Sequence, residues 1–167
     1  VIRDAEPRDA PALAALVNEA ITGTTITFRS VPVTPEDRAD WIAYRQRAGF
    51  GVLVAEAEGR FAGFASYGFF RGGDGYALTV EHTVQLAEPF HGRGLGRALM
   101  AALTDHARGR GFHVMVGAIS AENRASVAFH EAIGFRRVGV MPQVGQKFGR
   151  WLDLELWQMV LDGREGP

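Results

Sequence analysis

The residues with the most specific chemistry form the run Phe90-His91-Gly92-Arg93-Gly94-Leu95-Gly96-Arg97. Three alternate glycines stand between a strand-like stretch and a helix-patterned one. Glycines at such a turn let backbone approach a ligand with no Cβ in the way. The first N–H groups of a helix lack intrahelical partners and point outward, at the positive end of the helix dipole. Together they make a cradle for an anion such as a pyrophosphate. Arg93 and Arg97 add charge where phosphates would lie. The alternative is a plain tight strand-to-helix turn. Two other phosphate-binding loops do not match. A Walker loop needs Gly-Lys-Ser/Thr after its spacer, and the chain has none. A dinucleotide fingerprint counted from Gly92 needs a third glycine where Arg97 stands.

Other side chains with chemical potential are sparser. Glu81 lies in the middle of an otherwise apolar strand, where desolvation raises a carboxyl pKa and makes a better base. An outward-facing strand carboxylate or a salt bridge is the competing reading. Arg71 opens a Gly-rich loop, and its guanidinium suits a carboxylate or phosphinate in bidentate fashion. A solvated loop arginine fits the same position. The five histidines, His82, His91, His106, His113 and His130, show no paired ligand spacing, so no metal site is expected.

Elements must hold these groups in place. Residues 1–3 suit a short strand. Asp9 stands at an N-cap position before Leu13, Leu16, Val17 and Ala20 at helical spacing. Residues 22–33 suggest an extended loop. Thr34-Pro35-Glu36-Asp37 starts a second helix that runs through Arg47 and ends at Gly49. Strands follow at Val52–Glu56, Phe61–Phe70 and Tyr76–Leu86, with a turn at Glu58-Gly59. A helix over Leu95–Arg108, a strand over Val114–Ile119 and a helix over Asn123–Ile133 come next. Strands at Arg136–Met141 and Trp151–Val160 close the chain. The pattern predicts one α/β (α+β) domain over residues 1–162, with residues 163–167 as a frayed tail.

Composition narrows the partners. The chain has 167 residues, 18 basic against 19 acidic, for a net charge of -1. No basic excess points to nucleic acid. No cysteine is present, so disulfides, thiolate metal sites and a cysteine nucleophile are excluded, and a cytoplasmic location is favoured. No apolar run approaches the ~18 residues of a membrane span.

His91-Gly92-Arg93-Gly94-Leu95-Gly96 resembles the acetyl-CoA motif of the GNAT superfamily of N-acetyltransferases, Gln/Arg-x-x-Gly-x-Gly/Ala, with His in the first position. A second motif of that superfamily is matched by Asn123-Arg124-Ala125-Ser126 and His130-Glu131-Ala132-Ile133-Gly134-Phe135, where His130 takes the place of the usual Tyr. Thr79-Val80-Glu81-His82-Thr83-Val84, His130-Glu131 and Gln143–Trp151 resemble, more narrowly, the branch acting on phosphinothricin, methionine sulfone and methionine sulfoximine. Thr24-Thr25 and Ser66-Tyr67-Gly68 extend the likeness over nearly the whole chain.

The resemblance implies a mixed, mostly antiparallel sheet splayed between its fourth and fifth strands, acetyl-CoA in the gap, flanking helices and a homodimer. Val84, Gln85 and Leu86 would bind the pantetheine arm, and Gly92, Arg93, Gly94, Leu95, Gly96 and Arg97 the pyrophosphate. Asn123 would meet the cofactor arm, or cap the following helix. Arg71, Glu81, His82 and Thr83 would line the acceptor site, with Phe28, Phe69 and Phe70 as an apolar wall or as core. Lys147 and Arg150 would approach it from the C-terminal loop, either within one chain or across a dimer.

Acetyl transfer to an amine requires that the amine lose a proton, that the oxyanion find donors, and that the thiolate gain a proton. Glu81 is the candidate base. His130 is the candidate acid, since an imidazolium can donate near neutral pH, against a reading as a hydrogen-bonded core histidine. The predicted activity is acetylation of the α-amino group of a small amino-acid-like substrate. A different amine (a protein N-terminus, a polyamine, an aminoglycoside) and a non-catalytic acetyl-CoA sensor are the alternatives.

Overall fold

A computed structural model describes residues 1–167. Local signals start and stop most elements. In α2 (Pro35–Arg47) the Thr34 Oγ1 accepts from the Asp37 N–H at 3.0 Å, and the Asp37 carboxylate accepts from the Thr34 N–H at 2.8 Å. This reciprocal pair satisfies donors that a helix start otherwise leaves open. In α1 (Ala10–Gly23) Leu13, Leu16 and Ala20 are buried, as their spacing predicts. Asp9, expected to cap α1, does not. Its carboxylate takes both guanidinium nitrogens of Arg3 at 2.8 Å and the Glu6 N–H at 2.8 Å, tying β1 (Ile2–Asp4) to the helix start.

The sheet also contains β2 (Val52–Ala57), β3 (Arg60–Phe69), β4 (Thr79–Leu86), β5 (Val114–Ser120), β6 (Arg136–Lys147) and β7 (Arg150–Val160). Its order is β1-β2-β3-β4-β5-β7-β6. Every pairing is antiparallel except β4 with β5. That parallel pair follows from the intervening helix α3 (Leu95–Gly109), which carries the chain back across one face. A last helix, α4 (Arg124–Ala132), precedes β6.

Both faces of the central strands are covered. Val52, Val54 and Phe64 pack with Leu13, Leu16 and Ile42 under α1 and α2. Leu53, Ala55, Ala65, Tyr67, Val80 and Met115 pack with Leu99, Met100, Leu103 and Ala107 of α3. Double coverage explains why β2 begins as an unbroken buried run with no alternation. Burying each such leucine stabilises the fold by roughly 1.5–3 kcal/mol.

Two strand limits differ from expectation. Asp74–Tyr76 forms one turn of 3₁₀ helix, so β4 starts at Thr79 and not at Tyr76. Strand β6 does not stop at Met141. It passes through Pro142 with a register shift between Met141 and Gly145, with Gln143 at φ 57°, and continues to Lys147. A bulge on an edge strand accommodates Pro142.

The pairing of β4 with β5 runs from Thr79 opposite Val114 to His82 opposite Gly117 and ends there. Beyond it, β4 pairs only with β3, up to Leu86 opposite Gly63, while β5 pairs with β7 as far as Ser120. The sheet is therefore split between its fourth and fifth strands, as the resemblance implies.

Candidate active site

The split opens into a cleft of about 460 Å³. Glu81, His82, Thr83, Val84 and Gln85 line it from β4, and Gly117 to Ser120 from β5. Asn123, Ser126 and His130 close one side from α4 and the residues before it. Ile26 to Arg29 of the loop after α1, and Arg38, Trp41 and Arg45 of α2, form the opposite wall. The split thus collects eight of the site residues singled out in the sequence: Phe28, Glu81, His82, Thr83, Val84, Gln85, Asn123 and His130.

Glu81 is half-buried, and burial raises its pKa above the ordinary 4.5, with Arg45 pulling the other way. It is the one carboxylate lining the cleft. A carboxylate in such surroundings is a general base with a strengthened affinity for protons.

His82 and His130 are both buried, with ring nitrogens Nε2 and Nε2 2.9 Å apart. Gly117 makes the room, since a Cβ there would stand 2.8 Å from the His82 ring. The His82 Nδ1 lies 3.0 Å from the Val116 carbonyl, which only accepts, so this nitrogen carries a proton. With Nδ1 protonated, a neutral His82 offers its Nε2 lone pair to the His130 Nε2–H, which leaves the His130 Nδ1 to accept from the Ser126 hydroxyl. The His130 Nδ1 is 2.7 Å from the Ser126 carbonyl and 3.2 Å from the Ser126 hydroxyl. Burial lowers both pKa values, and the neighbouring His130 lowers that of His82 further. Both nitrogens of His130 are therefore engaged within the protein, and its expected aim at a thiol is not what the structure shows.

The other sequence-singled residues divide. The Asn123 Oδ1 accepts from the Ser126 N–H at 3.2 Å, which is the helix-capping role, and its amide still lines the cleft. Gln85 Nε2 donates to the Leu16 carbonyl at 2.9 Å, so its side chain fastens α1 to β4 and only its backbone remains for a ligand. Leu86 closes the strand and packs against the buried Gly96 of α3. Gly94 holds φ 77° at the N-cap of α3, and nothing within 4 Å would meet a Cβ there. Backbone N–H groups of Leu95 and the residues after it are thereby presented at the surface, a fit for phosphate. Gly92 is likewise at positive φ and open. Arg93 is paired with Glu58 at 2.6 Å, while Arg97 is exposed beside the turn. His91, the departure from the motif, donates from Nε2 to the Leu86 carbonyl at 2.9 Å and so fastens the turn to the end of β4.

Arg71 is not among the residues lining the cleft. It lies two residues past the end of β3, with its guanidinium 5.6 Å from the Tyr76 ring. Phe69 packs on Phe50 and Phe70 on Tyr76, so of the three expected aromatics only Phe28 reaches the cleft. Lys147 is buried and donates to the Thr27 carbonyl at 2.8 Å, and Arg150 is paired with Glu122 at 2.8 Å. Neither lines the cleft.

The sequence reading missed Arg29, Arg38, Trp41 and Arg45. The available signal was the spacing of Arg38, Trp41 and Arg45, which puts them on one helix face. Ser120, also missed, lines the cleft with a buried Oγ that has no partner.

Comparisons with known proteins agree with this geometry. Residues 15–135 match the family model described as the acetyltransferase (GNAT) family. The chain is 46% identical over 162 residues to an L-methionine sulfoximine/L-methionine sulfone acetyltransferase of Pseudomonas aeruginosa, covering 96% of this chain and 94% of that one. It is 36% identical to a phosphinothricin N-acetyltransferase of Streptomyces viridochromogenes, covering 94% and 85%. An acetyltransferase of Salmonella typhimurium, solved with its cofactor acetyl-CoA, superposes with a TM-score of 0.96 at 42% identity, covering 100% and 96%. With its split sheet, its glycine turn and these relatives, the chain belongs to the acetyltransferase (GNAT) family and is an N-acetyltransferase.

Proposed function

We propose that the protein transfers the acetyl group of acetyl-CoA to the α-amino group of a small amino-acid-like acceptor of the methionine sulfone, methionine sulfoximine or phosphinothricin type. The observation that carries this reading is Glu81, a half-buried carboxylate with a raised pKa at the point where β4 leaves β5. The names of the relatives supply the acceptor class.

Acetyl-CoA supplies a thioester carbonyl open to attack by an amine. The turn Gly92–Arg97 holds its pyrophosphate, and the unpaired edge of β4 over Val84, Gln85 and Leu86 holds the arm, with Asn123 opposite. Glu81 takes the proton that the acceptor's ammonium must lose. Backbone N–H groups of β4 freed by the split are the donors for the developing oxyanion. His82 follows Glu81 and ties β4 to β5 through the Val116 carbonyl, and Thr83 shares the face of Glu81 and meets the acceptor. The CoA thiolate leaves with the second proton of the attacking nitrogen, the first passing from Glu81 to solvent, and His130, bonded to His82, holds α4 against β4 beside the reacting atoms. Arg71 meets the acceptor's distal oxygens from the rim.

The proposal extends to a cytoplasmic homodimer. Val138, Val140, Val144, Phe148 and Trp151 are exposed along β6 and β7, an apolar row that favours association.

The test is release of free CoA thiol by purified protein with acetyl-CoA and methionine sulfone, methionine sulfoximine, phosphinothricin or a polyamine. Turnover on the first group without turnover on the polyamine is expected. Turnover on the polyamine alone would overturn the acceptor class.

A further inference from the structure

Helix α2 turns a cationic face toward the cleft. The guanidinium carbons of Arg38 and Arg45 lie 5.0 and 4.6 Å from the centre of the Trp41 ring. Arg29 lines the same wall from the loop after α1. None of the three makes an ion pair within 4.0 Å. Arg38 keeps a buried Nε with no hydrogen-bond partner. Arg45 makes one side-chain bond, to the Ser66 Oγ at 2.9 Å, and that hydroxyl is itself committed to the Gly51 carbonyl. Burial lowers the Arg45 pKa to about 10.

Partly buried guanidiniums without a contacting carboxylate are costly, and the charge of Glu81 near Arg45 offsets the burial only in part. Packing alone does not call for them, since an apolar side chain would cover Trp41 as well. The phosphates of acetyl-CoA are not their partner either. Arg45 lies over Gly68, where a Cβ would stand 3.0 Å from its guanidinium, and Gly68 pairs with Glu81. The glycine turn lies beyond Leu86, five residues and about 17 Å further along the strand.

The cleft therefore sets a cation beside the base. Glu81 favours an ammonium, and Arg45 next to it favours an anion. An α-amino acid presents those two groups on one carbon. Resting on the acetyltransferase reading above, we propose that Arg38, Trp41 and Arg45, with Arg29 on the same wall, form the receptor for the acceptor's α-carboxylate. Arg45 supplies the fork of donors, Trp41 holds both guanidiniums flat, and Arg38, lining the cleft beside it, adds a second guanidinium for the carboxylate. The receptor selects free amino acids over amines and amides, because an uncharged acceptor leaves the guanidiniums unpaired.

The test compares methionine sulfone, its carboxamide and the amine lacking the carboxyl group, with wild type, R38Q, R45Q and R45K. Acetyl-CoA titration by calorimetry reports that each variant is folded. For the wild type, kcat/KM for the acid should exceed that for the carboxamide by roughly 100-fold. In R38Q and R45Q the ratio should fall at least ~10-fold, carried by KM for the acid, as expected when a charged hydrogen-bond partner is lost. R45K, which keeps charge without the fork, should fall between. Calorimetric binding of methionine sulfone to CoA-loaded protein should weaken in step. An acid-to-amide ratio in R38Q and R45Q equal to that of the wild type would overturn the receptor and leave the function standing. A wild type that binds acetyl-CoA but neither binds nor acetylates any amino acid would overturn the functional reading, and the receptor with it.

Discussion

Replacing Glu81 with Gln should lower activity and raise stability together. The substitution keeps shape and removes the charge. Burial makes the ionised carboxylate unfavourable in the folded chain, and Arg45 offsets this only in part, so the net pKa is raised. A group whose folded pKa is raised binds protons more tightly folded than unfolded. Its ionised form therefore lowers stability at every pH above the folded pKa, and the loss develops as pH rises through the window above 4.5. Gln, which mimics the neutral acid, avoids that loss, and E81Q should melt above the wild type at pH 7. Its activity should fall about 10²- to 10³-fold in kcat/KM, within the ordinary worth of a positioned base, or about 3–4 kcal/mol of barrier. The assay is thiol release with methionine sulfone across pH, beside acetyl-CoA titration and thermal melts. In the wild type, kcat/KM should climb with pH as Glu81 loses its proton, and E81Q should lack that limb. Activity of E81Q within ~5-fold of wild type would refute Glu81 as the base. A melting point below the wild type would refute the burial reasoning.

Gly94→Val adds a Cβ that meets nothing, so its cost is confined to the left-handed backbone, about 1–2 kcal/mol of stability by denaturant titration, with weaker acetyl-CoA binding by calorimetry. Burial alone would raise the pKa of Asp9, but the bonds from Arg3 and Glu6 hold it below the ordinary 3.8. Its contribution is present above that value and lost as pH falls through the lowered folded pKa, so D9N should flatten the acid limb of a stability-versus-pH curve. Trp151 and Phe148 are 67% and 60% exposed, and replacing both with Ser should shift sedimentation toward monomer without lowering the melting point of the monomer.

Much of the scaffold was readable because its signals are local. Thr34 and Asp37 cap α2 through neighbouring backbone, and the glycine turn declares itself by residue type alone. The cationic wall was not readable, because Arg38 and Arg45 on an isolated helix look like solvated surface. Only the docking of α2 over β3, with Arg45 on Ser66, turns them inward. The reverse holds for Phe69, whose type suggested a pocket wall and whose tertiary partner is Phe50. His130 was found by motif, but its partner His82 is 48 residues away in the chain, and only the parallel register of β4 and β5 brings the rings together. The extension of β6 past Pro142 depended on a bulge that no local rule announces.

Lys147 closes β6 with its ammonium on the Thr27 carbonyl, and Glu122 bridges Thr25 to Arg150 at the start of β7. The loop that carries Phe28 and Arg29 is thus latched to the outermost hairpin of the sheet at one end, while Asn18 of α1 holds Val33 at the other. In hydrogen-exchange terms, the Lys147 and Glu122 contacts predict that the middle of this loop opens together with the edge hairpin. Amides near Thr27 should exchange at the pace of those flanking Lys147, and anything that clamps the hairpin should slow both. The acceptor wall of the cleft thereby inherits its rigidity from the rim of the molecule.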